Sequence, residues 1–152
     1  MTAAWELEHS VETEASQTVA WNFWTNVANW SDPPAEFELD GPFAAGSRGA
    51  TRMPEQPPMH WIIRDAEPPY TSTIEGQIAD GATFSSQWRF EAIADSRTRL
   101  TQRLELWGEN AAVYVSQVDS AFRPNIAPGM RKIAAAMATC AANLKAVIPS
   151  SR

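Results

Sequence analysis

Cysteine is almost absent. Cys140 is the only one in 152 residues, so no intramolecular disulfide can staple the chain, and a reducing compartment fits that usage. Histidine is nearly as scarce, with only His9 and His60. Neither has a cysteine or carboxylate at ligand spacing, so no metal centre is expected. Basic charge is thin and scattered: twelve Lys and Arg stand against eighteen Asp and Glu, for a net charge of −6. No basic run exceeds Arg131-Lys132. A phosphate backbone needs a concentrated basic face, so no nucleic-acid partner is expected. Long apolar runs are missing too. The nearest, Ile133 to Leu144, is short and mostly alanine, which predicts no membrane span. Met1 to Glu6 carry neither a basic nor an apolar targeting region, so the expected location is cytoplasmic. Neither a Gly-x-Ser-x-Gly elbow nor a phosphate-binding glycine loop occurs, and Cys140 has no basic neighbour in sequence. Nucleophilic catalysis and a bound cofactor are therefore not expected.

What the chain has in excess is tryptophan, seven against two tyrosines. Two readings stand: large rings filling a small core, or indoles lining a cavity, since each offers a wide apolar face and one donor. The hydrophobic content of 44% is that of a globular chain. The length suits one domain, here taken as 1–152.

Trp5 to Thr13 alternates strictly, with Trp5, Leu7, His9 and Val11 on one face and Glu6, Glu8, Ser10 and Glu12 on the other. This is the period of a half-buried strand. Ser16 is placed to cap a helix running to about Asn26, in which Val19, Phe23 and Val27 recur at four-residue steps. Short strands are predicted over Glu36 to Leu39 and Gly46 to Met53, then a proline loop, then a strand from Met59 to Ala66. Tyr70 to Ala79 and Ala82 to Ile93 form a hairpin about Asp80-Gly81. Thr98 to Trp107 is the last strand. Helix follows from Ala111 to Phe122, and again from Pro128 to Val147. In the final run Met130, Ile133, Met137, Ala141, Leu144 and Ile148 make an apolar stripe. Strands joined by short turns mean an antiparallel sheet, and the helices must bury their stripes on its concave face.

In this order the chain resembles the START-like (SRPBCC) superfamily, the Bet v 1-type helix-grip fold that includes polyketide cyclase/dehydrase-like proteins. The resemblance rests on His9-Ser10-Val11-Glu12-Thr13, on Ala15-Ser16-Gln17-Thr18-Val19-Ala20-Trp21 and on Thr25-Asn26-Val27-Ala28-Asn29-Trp30. The Glu67-Pro68-Pro69 turn, the strand meander and the long last helix match as well. The usual Val-Trp pair is split here by Ala20, and Asn26 stands where aspartate is common. The resemblance implies an α+β fold: a curved antiparallel sheet of six or seven strands, wrapped around a long C-terminal helix, with two short helices after the first strand. It also implies a cavity between sheet and helix that takes lipids, polyketides or other apolar molecules. It implies no single chemistry.

The expected cavity walls are Phe84, Trp88, Phe90 and Leu104 from the sheet, with Met130, Ile133 and Met137 from the helix. Gln102 interrupts an otherwise leucine face, and a buried amide needs a partner. That partner is either a ligand or a closed side-chain network. Ser86 and Ser72, on the same expected face, suggest a polar spot. His9 reads as an inward core or cavity residue and His60 as one near a cavity mouth; either could serve as a general acid or base. Arg52 and Arg64 reach the cavity only in one of two registers, which Ile62-Ile63 leaves open. The favoured function is binding or carrying of an apolar small molecule. The alternatives are a polyketide cyclase/dehydratase-type enzyme, and an interaction module, possible as a homodimer, that uses the groove for a partner.

Overall fold

The computed structural model describes residues 2–147. Strict alternation makes the first strand, β1 (Trp5–Thr13), with glutamates and Ser10 exposed and the intervening positions turned inward. Ser16 then caps α1 (Gln17–Trp24), its Oγ accepting from the Val19 amide at 3.2 Å. That satisfies one of the N–H groups left free at any helix start. The buried side of α1 is Ala20, Trp21 and Trp24, whereas Val19, Phe23 and Val27 are half-buried. The four-residue series therefore marks the flank of the buried face. The two indoles take its centre because each removes more apolar surface from water. Val27–Asn29 form a 3₁₀ turn.

Six strands follow: β2 (Glu36–Asp40), β3 (Arg48–Arg52), β4 (Met59–Glu67), β5 (Thr71–Ala79), β6 (Ala82–Ala94) and β7 (Arg97–Trp107). They form one seven-stranded antiparallel sheet in the order β1-β7-β6-β5-β4-β3-β2. The Asp80-Gly81 turn joins β5 to β6, with Gly81 at a φ of +75° that L side chains rarely adopt. After β7 come a 3₁₀ turn (Ala111–Tyr114), α2 (Val115–Phe122) and α3 (Ile126–Val147). Pro128 sits in the first turn of α3, where a missing N–H breaks no helical bond. Ile126, Met130, Ala134 and Met137 of α3 are buried. Leu144, expected in the same stripe, is 42% exposed; Ile148 lies outside the described residues. The Thr13 hydroxyl donates to the Ala134 carbonyl at 2.7 Å and ties β1 to the middle of α3. This is the helix-grip architecture.

Register settles the parity that Ile62-Ile63 left open. Trp61 and Ile63 are buried and face inward, and a bulge between Ile63 and Asp65 resets the pairing with β5. Arg52 and Arg64 consequently point outward, paired with Glu38 and Glu75 respectively. Trp61 lies directly over Gly49, its partner across β3 and β4, where an added Cβ would sit 2.2 Å from the ring. Its indole N–H donates to Thr51 Oγ1 at 3.1 Å.

Candidate functional site

Strand register assembles the site. His9 stands opposite Gln102, Gln102 opposite Trp88, and Ser86 opposite Leu104. With a side-chain period of two, His9, Gln102 and Ser86 therefore project from three adjacent strands onto the same inner face. Gln102 Nε2 donates to Ser86 Oγ at 3.1 Å. All three residues are half-buried. Among the described residues, neither Gln102 Oε1 nor the His9 ring has a side-chain hydrogen bond, and no polar side-chain atom is both fully buried and unpaired. The free valences of this group therefore open onto accessible space. Ser72, expected in the same polar spot, is fully buried and donates to the Asp65 carbonyl at 3.0 Å. It satisfies the bulge and closes on itself.

The apolar candidates divide into two sets. Leu104, Met130 and Met137 are almost completely buried in the core, while Phe84 and Ile133 are half-buried beside it. Trp88 and Phe90 belong to an aromatic stack under α1: Trp24 lies 5.2 Å from Trp88 and 5.8 Å from Phe90, and Trp21 meets Phe90 edge-on at 5.3 Å. Trp30 continues the stack from Trp24 to Trp61. The indoles at this end fill space between elements. His60 is not brought to the inner face. It pairs with Ala50, is exposed, and lies near Glu38 on the outer side. The reason is again period two: Trp61 takes the inner side, so its neighbour must take the other.

Ile74, opposite Ser86 and half-buried on the inner face, was not singled out from the sequence; the alternation Ser72, Ile74, Gly76 is its signal. An aromatic cluster also closes the end of the sheet beneath α2. Phe122 stacks on Phe84 at 4.8 Å, and Trp5 contacts both rings at 6.4–6.5 Å. The Trp5 indole N–H donates to Asp119 Oδ1. That bond, with a second from Arg123, holds the Asp119 carboxyl below its ordinary value. The inward positions of β1, β6 and β7 carry no acidic or basic residue apart from His9. One amide, one hydroxyl and one imidazole on an apolar surface can orient a ligand's oxygen atoms, and the imidazole can carry a proton. Among the described residues no group of His, Cys, Asp and Glu is arranged to hold a metal, and no helix is long and apolar enough to cross a membrane.

Comparison with known proteins gives one family, described as polyketide cyclase / dehydrase and lipid transport, matching residues 4–148. Among solved structures, an aromatase/cyclase (Zhui) from a Streptomyces species superposes with a TM-score of 0.69 at 15% identity, covering 88% of this chain and 93% of that one. Norcoclaurine synthase from Thalictrum flavum, a point mutant in complex with a transition-state analogue, gives 0.65 at 12% identity over the same shares, 88% and 93%. A protein from Arthrobacter aurescens gives 0.63 at 18%, covering 97% and 89%. Likeness at these identities speaks for the fold alone. No curated protein sequence matches the chain.

Proposed function

The chain belongs to the polyketide cyclase / dehydrase and lipid transport family, and from that premise we propose that residues 1–152 act as one ligand-binding domain for an apolar, oxygen-bearing small molecule. The ligand lies between sheet and α3. The observation that carries this reading is the inner-face group His9, Gln102 and Ser86, whose free valences open onto accessible space within an uncharged, apolar face. A folded protein rarely keeps an amide and an imidazole half-satisfied inside its sheet unless water or a ligand completes them. Burial of the ligand's apolar body supplies the affinity, and Gln102 and Ser86 fix its oxygen. Native mass spectrometry of the purified protein tests this. A co-purified small molecule, released by Gln102→Leu, is the expected result; a bare mass that also fails to take up any hydrophobic ligand counts against it.

A second reading is favoured by one feature. The His9 ring has no hydrogen-bond partner among the described residues and stands across from Gln102. In a cyclase- or dehydratase-type reaction it would move a proton to or from a bound chain oriented by Gln102. Turnover without added cofactor, lost in His9→Leu while binding is kept, separates an enzyme from a carrier.

A further inference from the structure

A recess of about 570 Å³ lies on the outer face of the sheet, on the side away from α3. Small-molecule sites commonly span roughly 300–1,000 Å³. Its floor is the outward row Glu75, Ser85 and Glu105, one residue from each of three adjacent strands. Trp107 forms one wall, and Arg64 with Asp65, at the β4 bulge, forms another.

Ser85 is only 7% exposed and lines this recess, yet its hydroxyl has no partner among the described residues. The residue is buried but its unpaired hydroxyl is not, so that hydroxyl opens into the recess, where water or a ligand can complete it. Both floor carboxylates are already compensated, whereas the Asp65 carboxylate in the wall has no ion-pair partner among the described residues. Glu75 pairs with Arg64, while Glu105 accepts from Arg103 Nε and from the Trp107 indole N–H, each at 3.2 Å. The last bond also fixes the orientation of the indole. A cationic ligand would find both floor carboxylates neutralised and Arg64 beside it. An anion would face Asp65, Glu75 and Glu105. An apolar body would strip water from all of them. Each carboxylate nevertheless keeps acceptor positions, since an ionised carboxyl offers about four. The ligand that fits is neutral, rich in hydroxyls, and apolar on one face.

We infer that this outer recess binds a carbohydrate ring, its C–H face laid on Trp107 and its hydroxyls shared among Ser85, Glu75 and Glu105. The site is separate from the inner-face site and does not depend on it.

Amide and indole NMR of the intact chain tests the inference, titrating D-glucose, D-galactose, D-mannose and N-acetyl-D-glucosamine separately, with choline and inorganic phosphate as charged controls. At least one sugar should cause saturable shifts at the Ser85 and Thr83 amides and the Trp107 indole N–H, leaving Gln102 and Ser86 unmoved. Trp107→Ala should weaken binding roughly tenfold or more. Trp107→Phe should retain most of it, which distinguishes loss of the ring from loss of the fold. Absence of saturation with all four sugars, a stronger response to choline or phosphate, shifts confined to the inner face, or unchanged affinity in Trp107→Ala would each overturn it.

Discussion

The Trp5 indole N–H donates to Asp119 Oδ1 at 2.9 Å across a sequence separation of 114 residues. It joins the first strand to the short helix α2, and Phe122 one turn further along packs its ring against Phe84. Together these contacts hold α2 against the end of the sheet. In Trp5→Phe, the ring stays and the donor goes. Amide exchange over 115–122 is then expected to accelerate, while that of β6 and β7 is unchanged. Equal acceleration throughout would show that the bond supports the whole fold and not this one closure.

The same carboxylate sets a pH dependence. Its folded-state value lies below the ordinary 3.8, so its contribution to stability is complete above that value and is lost as pH falls through the lower folded one. The stability gap between the native chain and Asp119→Ala should therefore be constant from neutral pH down to about pH 5, and shrink only in stronger acid. Denaturant midpoints of both proteins across that range measure it.

Gln102→Leu discriminates between the two roles open to the amide. Ser86 is its one side-chain partner and is itself half-buried, so water can replace the lost bond. Stability should change by less than about 1 kcal/mol. Affinity for an oxygen-bearing ligand should fall roughly tenfold, about 1.4 kcal/mol. Unaltered affinity with a clear loss of stability would assign Gln102 to the core alone.

Two tryptophans on opposite faces should behave oppositely in thermal or urea unfolding. Trp88 is 4% exposed and packed beneath Trp24, so Trp88→Ala should lower stability by about 3–5 kcal/mol. Trp107 is half-buried on the outer face, and Trp107→Ala should change stability by no more than about 1 kcal/mol. Similar losses in both would contradict the register of β6 and β7.

Gly49→Ala should destabilise by roughly 1–3 kcal/mol, since the new methyl would collide with the Trp61 ring and force it off its seat. Trp61 emission should shift with it. A neutral result would mean the ring is free to turn aside.

Sequence pattern reached the parts of this molecule governed by local period. Leu100, Gln102 and Leu104, and Phe84, Ser86 and Trp88, could be assigned one face because β6 and β7 alternate cleanly. The polar group around Gln102 followed from that parity. The Ser16 cap and the Asp80-Gly81 turn are local signals of the same kind. Orientation failed where locality failed. Ile62 and Ile63 are both apolar and a bulge follows them, so no local pattern fixes the direction of Arg52 and Arg64, and none fixes that of neighbouring His60, which stands exposed opposite Ala50. Trp88 was correctly turned inward, but its closure by Trp24 depends on a helix more than sixty residues earlier. The outer row Glu75, Ser85 and Glu105 exists only once three strands are aligned, and no single segment displays it.

The pairing of β1 with β7 has a consequence for how the chain is made. β1 lies at the sheet's edge, and β7 is its sole neighbour. On a ribosome the first strand emerges with Trp5, Leu7 and Val11 turned toward a surface that does not yet exist, and some ninety residues must follow before its partner is synthesised. Pairings so distant in sequence form slowly, and unpaired strands invite association with other chains. The glutamates at positions 6, 8 and 12 keep one side of that waiting strand charged, and like charge between nascent copies opposes premature edge-to-edge contact. Only when the arginines of β7 arrive, Arg103 donating to Glu6 at 2.9 Å, is that repulsion converted into attraction within a single chain.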